Sequence, residues 1–168
     1  MTLEKLRSVV RDCLGKHLYS SGIFFADKLV TMSDSAPADV FLLSQAYYLG
    51  KHYRRALHLL RQEHLLAADA RFRYLAAKCL EEVKEWDECL ALLGDGEFDE
   101  DGNADVIEMD SAEGEMLDMP GDGREINIAA AICLLRGRAY EALENRTRAA
   151  LWYKASLKAD PYCYEVCT

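Results

Sequence analysis

Three groups of residues in this 168-residue chain have types and spacings that could do chemistry. The stretch "DEDGNADVIEMD" at 99–110 sets Asp99, Asp101, Asn103 and Asp105 at positions one, three, five and seven of a calcium-binding loop. The match fails at two positions. Ala104 replaces the glycine needed for the sharp turn, and Asp110 replaces the bidentate glutamate at position twelve. Solvated acid is therefore favoured over a calcium site. His52, His58 and His64 are six residues apart and rotate around a helix, whereas a helical zinc pair needs i, i+4 spacing. Cys163 and Cys167 form a C-x3-C pair with no second pair or His nearby, short of the four ligands of structural zinc. Cys13, Cys79, Cys89 and Cys133 fall among apolar residues at helical spacing and read as reduced structural thiols. No nucleophile elbow, phosphate-cradling glycine loop or dinucleotide fingerprint occurs. The expectation is a protein that is not an enzyme, with no metal and no cofactor.

Charge narrows the partners. The formal net charge is −9, but residues 94–124 alone hold twelve Asp and Glu against Arg124. The remaining chain is nearly neutral, and no basic stripe is evident that would neutralise a phosphate backbone, so no nucleic acid is expected. The longest apolar run, Ile128 to Leu135, is far short of the ~18 residues a membrane-spanning helix needs. The N-terminal "MTLEKLRSVVRDCL" is broken by charges and is no secretory signal. A protein that meets no membrane, inside the cell, is the default.

What positions these residues is a repeat. Tyr19 is followed three residues later by Gly22, Tyr53 by Ala56, and Trp86 by Cys89, at intervals of 34 and 33 residues. A period of that length belongs to the tetratricopeptide helix–turn–helix unit. Its two antiparallel helices need a small residue where their backbones approach, with an aromatic one turn earlier. Tyr47, Ala56 and Leu60 fit the same pattern. So do Gly137, Tyr140, Ala149, Tyr153, Ser156 and Pro161, the proline ending its helix. The spacing predicts helix pairs at 2–14 and 20–32, 38–49 and 53–64, 68–83 and 86–93, and 125–143 and 146–159, with Thr2 and Asp39 as N-caps. The fold class is all-α: a tetratricopeptide solenoid of about four antiparallel pairs with a disordered acidic insert. Three pairs occupy 1–93, the flexible insert 94–123, the fourth repeat 124–161, and 162–168 reads as the start of a truncated fifth.

More specific stretches carry a family resemblance. "FFADKL" at 24–29, "RFRYLAAKCLEE" at 71–82, "ICLLRGRAYEALENRTRA" at 132–149 and "WYKASLKADPYCYE" at 152–165 resemble the N-terminal part of the Cdc-sixteen-type scaffold subunits of the anaphase-promoting complex. The resemblance weakens over 94–124. It implies a non-catalytic, nuclear and cytoplasmic role in a ubiquitin ligase that drives mitosis. It also implies homodimerisation through this region and contact with other tetratricopeptide subunits. A small accessory chain is expected to bind only through later repeats that are absent here.

Two features of the residues bear on dimerisation. Leu3, Leu6, Val9, Val10 and Leu14 give the first helix an apolar face with no polar capping helix before it, a common mark of an interface. Three consecutive large apolar residues, Ile23, Phe24 and Phe25, cannot all face one side of a helix. The expected dimer contacts are the outward members of Leu3, Leu6, Val10, Ile23 and Phe24. The alternative is a monomeric adaptor that holds peptide termini with Asn, Lys or Arg. The ninth positions of successive first helices are Arg11, Gln45, Lys78 and Arg138, and no asparagine falls in the first three pairs.

Overall fold

The structure is a computed structural model and describes residues 1–62, 64–104 and 126–167. Eight α-helices appear among them: α1 Leu3–Gly15, α2 Tyr19–Met32, α3 Pro37–Leu49, α4 Tyr53–Gln62, α5 Ala70–Glu82, α6 Trp86–Leu93, α7 Ile128–Ala142 and α8 Arg146–Ala159. Short 3-10 turns lie at Leu65–Ala67 and Tyr164–Cys167. The all-α class and the four helix pairs stand as expected. Among the described residues, no helix is long and apolar enough to cross a membrane.

These residues fall into two compact units, Met1–Ala68 with α1 to α4, and 69–104 with 126–167, holding α5 to α8. In the first unit, Leu6 and Val10 of α1, Ala26 and Leu29 of α2, and Leu42, Leu43 and Ala46 of α3 form one buried cluster. Gly22 is buried where α1 and α2 meet; a Cβ there would lie 3.1 Å from Leu14 Cδ2. In the second unit the approach is tighter, since a Cβ on Gly137 would lie 2.4 Å from the Tyr153 ring. Only glycine lets α7 and α8 come that close without displacing the ring.

The first helix of every pair ends in the same way. The N–H groups of Leu18, His52, Glu85 and Asn145 donate to the carbonyls of Cys13, Tyr47, Leu80 and Tyr140 at 2.7–3.0 Å. This six-to-one bond closes a helix when the residue before the donor turns left-handed. Those residues are His17, Lys51, Lys84 and Glu144, with φ between 61° and 65°. None is glycine, although a left-handed L-residue costs roughly 1–2 kcal/mol. Gly50 sits one position too early, at φ −77°, to relieve the strain at Lys51.

Helix starts show where local signals held and where they did not. Thr2 caps α1, its Oγ1 accepting from Lys5 N–H at 3.3 Å. Asp39 does not cap α3. The helix begins at Pro37, whose fixed φ suits the first turn and whose missing N–H costs nothing there. Asp39 instead lies buried inside that turn and accepts a two-pronged bond from Arg7 of α1, Nε to Oδ1 at 2.7 Å and Nη2 to Oδ2 at 2.8 Å. α4 stops at Gln62 rather than 64, because His64 turns left-handed at φ 53°.

The segment expected to be flexible differs from that expectation in its first part. Residues 94–104 pack on α7 and α8. Phe98 lies edge-on to Trp152 with centroids 4.7 Å apart, and Ala104 and Tyr140 join the same cluster. A two-residue bridge between Phe98 and Ala104, with Gly102 left-handed at φ 76°, makes this a tight hairpin-like turn. Burying an aromatic ring offsets the entropy that acid content alone could not. Residues 105–123 lie outside the described residues, as does Thr168 of the expected fifth repeat.

Candidate interaction surfaces

The expected dimer contacts do not form one exposed patch. Leu6 and Val10 are 3% and 0% exposed and belong to the first unit's core. Leu3 and Ile23 are half-buried against it. The helical period explains this: Leu6, Val10 and Cys13 form one i, i+4, i+7 stripe that faces inward. Phe24 is the exception, 54% exposed, with the Lys28 ammonium 4.5 Å from its ring centroid.

The repeat-defining residues are placed as packing elements. Ala56, Cys89 and Ala149 are buried, and Cys89 Sγ lies 3.7 Å from the Ala77 carbonyl of the facing helix. Tyr53 is half-buried against Tyr48, and the Tyr19 hydroxyl is 2.6 Å from His17 Nδ1. Tyr47 lies half-buried beneath the Arg55 guanidinium. Trp86 is only half-buried, with Lys84 at 5.5 Å over its ring. Tyr153 donates to Glu141 and Tyr140 to Asp95, both at 2.6 Å. Pro161 is exposed just beyond α8, and the residue before it, Asp160, is extended as a proline requires.

Burial explains the thiols. The thiols of Cys79 and Cys89 are pushed up to about 12, chiefly by burial, which disfavours the thiolate that would bind metal or attack. Cys13, Cys133 and Cys163 are likewise buried and are not in disulfides. Asp99, first residue of the would-be calcium loop, accepts from Asn103 N–H at 2.7 Å and from its side-chain amide at 2.8 Å. The Lys158 ammonium then donates to Asn103 Oδ1 at 2.8 Å, so a lysine supplies the local positive charge. Asp105 and Asp110 lie outside the described residues.

Two of the adaptor's proposed cations have acids against them. In the second unit Lys78 pairs with Glu81, and Arg138 pairs with Glu81 at 3.4 Å and with Glu165 at 2.7 Å. Burial, reinforced by Glu81 and Glu165, pushes the neighbouring Tyr74 phenol up to about 12. A peptide carboxylate would have to displace these acids. In the first unit Arg11 is exposed and Gln45 half-buried.

Three residues central to the second unit carried no signal in the repeat pattern. Arg136 is buried, donates Nη2 to the Leu93 carbonyl at 2.7 Å and Nε to the Gly94 carbonyl at 3.1 Å, and lies 4.7 Å over the Trp152 ring. It thus satisfies carbonyls at the end of α6, which no next turn can reach. Trp152 is wholly buried; its place in the stripe Ala149, Trp152, Ala155, Ser156 could have shown this. Phe98 is the one aromatic among residues 94–124, which was its available clue.

Comparison with known proteins places this packing. The family described as "Anaphase-promoting complex, cyclosome, subunit 3" matches residues 15–96. Anaphase-promoting complex subunit 6 of Arabidopsis thaliana is 57% identical over 165 residues, 97% of this chain and 30% of the relative. Over nearly its whole length the chain is similar to tetratricopeptide-repeat subunits of the anaphase-promoting complex. The cell division cycle protein 16 homolog of Homo sapiens is 39% identical over 98% of this chain and 27% of its own length. A crystal structure of the Cut9–Hcn1 hetero-tetramer aligns over 98% of this chain and 28% of that one, at a TM-score of 0.79 and 32% identity. MamA from Desulfovibrio magneticus shares the fold alone, at a TM-score of 0.69 and 16% identity. The chain spans about 30% of the length of the plant relative and 27% of the human one.

Proposed function

We propose that this chain is part of a non-catalytic scaffold subunit of the anaphase-promoting complex, acting in nucleus and cytoplasm. The observation that carries the proposal is the 57% identity to a named subunit over 97% of the chain. Packing supports it: the side chains that recur at the repeat spacing are spent on joining helices, and the buried thiols are held in their unreactive form. Tagged full-length protein should co-purify with other tetratricopeptide subunits and with ubiquitin-ligase activity. Recovery free of both would overturn the scaffold role.

The finer part of the proposal is self-association through the outer face of α2, with Phe24 as its centre. An aromatic side chain this exposed, on a helix whose inner face is already packed, gains most from a partner. Sedimentation of the purified chain should show a dimer, and Phe24→Glu should give a monomer of unchanged helical signal. A Phe24→Glu dimer would move the contact elsewhere and leave the scaffold role standing.

A further inference from the structure

From Val40 to Gln62 the chain contains no acid, while Lys51, Arg54, Arg55 and Arg61 are basic and His52 and His58 lie among them. This run ends in α4, and it stands out in a protein of net charge −9. Beside it, wholly within the first unit, lies a cavity of about 380 Å³ between α2, α3 and α4. Its apolar lining comes from Val30, Leu43, Tyr47 and Leu59. Arg54, Arg55 and His58 edge it from α4, and Asp27 edges it from α2. The Arg55 guanidinium carbon lies 5.3 Å from the Tyr47 ring centroid, within cation–π range.

We propose that this cavity is a docking site for an extended acidic peptide segment carrying one large aliphatic side chain. The apolar lining accepts the aliphatic group, and a cavity of this size is within the range of ligand sites, roughly 300–1,000 Å³. The Arg55 fork on one edge suits a carboxylate bidentately. Asp27 on the other edge can accept a main-chain N–H, a bond that a peptide offers and a phosphate backbone does not. A nucleic acid would leave the apolar lining unused. A membrane is met by a convex apolar face, whereas these apolar residues lie in a concavity. The proposal goes beyond the scaffold role and does not involve Phe24, so either can fail alone.

The test uses the whole chain and a fluorescent peptide with one leucine flanked on each side by two glutamates, read by anisotropy. Saturable binding is expected. It should weaken about tenfold in the Arg55→Glu variant, and by a similar factor when serine replaces the peptide's leucine. Arg55→Lys, which keeps charge but loses the fork, should fall between. The peptide series is read on the unaltered protein, so a misfolded variant leaves the test intact. Absence of saturable binding, or equal binding of the serine peptide, overturns the proposal. Tighter binding of a single-stranded oligonucleotide or a phosphatidylserine vesicle at the same salt also overturns it, in favour of a phosphate-binding face.

Discussion

Helices α2 and α3 are joined by four residues, 33–36, whereas α6 and α7 are joined by thirty-four, 94–127. In the first unit the short turn itself brings successive pairs together, and the core that follows is a cluster of aliphatic side chains with small residues at the crossings. The second unit has no such turn between its pairs. A buried arginine does the joining, reaching from α7 to the last carbonyls of α6 while stacking on Trp152 of α8. The same repeat geometry is therefore held once by chain connectivity and once by a side chain. The contrast teaches that a tetratricopeptide register can survive an interruption if a polar group takes over the orphaned helix end.

The largest test of that contrast removes the arginine. Arg136→Met should destabilise the second unit by about 3–5 kcal/mol, because two carbonyls lose a charged donor in a buried site. Trp152→Ala should cost a similar ~3–5 kcal/mol through its cavity. Hydrogen exchange should show the loss in α6 to α8, with protection of α1 to α4 unchanged. A loss below about 1 kcal/mol for Arg136→Met would show that apolar contact alone joins the pairs.

The glycines offer a mid-sized comparison. Gly137→Ala pushes a Cβ into a tyrosine ring and should cost about 1–3 kcal/mol, read from urea unfolding. Gly22→Ala presses closely only on the flexible end of Leu14, with Cys13 Cβ at an ordinary 3.5 Å, and gains helix propensity, so it should stay within about 1 kcal/mol of the parent. Equal costs would erase the claimed difference in approach between the two units.

Smaller still is the effect at the shared left-handed turns. Lys51→Gly in the first unit and Glu144→Gly in the second should each stabilise by about 0.5 kcal/mol, relief of strain outweighing the entropy of glycine. Thermal unfolding should show a small rise for both. A rise in one unit alone would mean the turns are not equivalent.

The smallest effect is local and depends on pH. Burial alone would push the Asp95 carboxyl up, but bonds from Arg148 and Tyr140 outweigh it and hold it below the ordinary range. A depressed carboxyl contributes fully above its unfolded value of about 4 and loses that contribution as pH falls through the lower folded value. Residues 95–98 should therefore loosen from α8 only in that acid window. Trp152 fluorescence in a Trp86→Phe background should report it, and the first unit should not change. Loosening already at neutral pH would show that this carboxylate does not hold the segment.

Much of this architecture is legible in the chain because the repeat writes itself in local spacing. Tyr53 to Ala56 and Trp86 to Cys89 mark helices whose starts the structure reproduces at Tyr53 and Trp86. What was not legible is what reaches across distance. Asp39 looks like a cap, and only the arrival of Arg7 from thirty-two residues upstream makes it a buried ion pair. Tyr153 fits the repeat pattern, yet its neighbour Trp152 fills the core, because the pattern describes the contact between two helices and not what lies beneath them. Leu6 and Val10 look like a terminal interface in one dimension; α3 covers them in three. Trp86 carries the same lesson in reverse, an aromatic at the right spacing that stays half-exposed. Phe98 packs despite its acidic surroundings, since one ring against Trp152 outweighs what average composition suggests.

Because Arg136 is buried against the Leu93 and Gly94 carbonyls and the Trp152 ring, three helices meet on one charged group. A guanidinium taken out of water without those partners is costly. Partial docking of α6 on α7 and α8 is therefore unfavourable, and the end of α6 joins its neighbours in a single cooperative step.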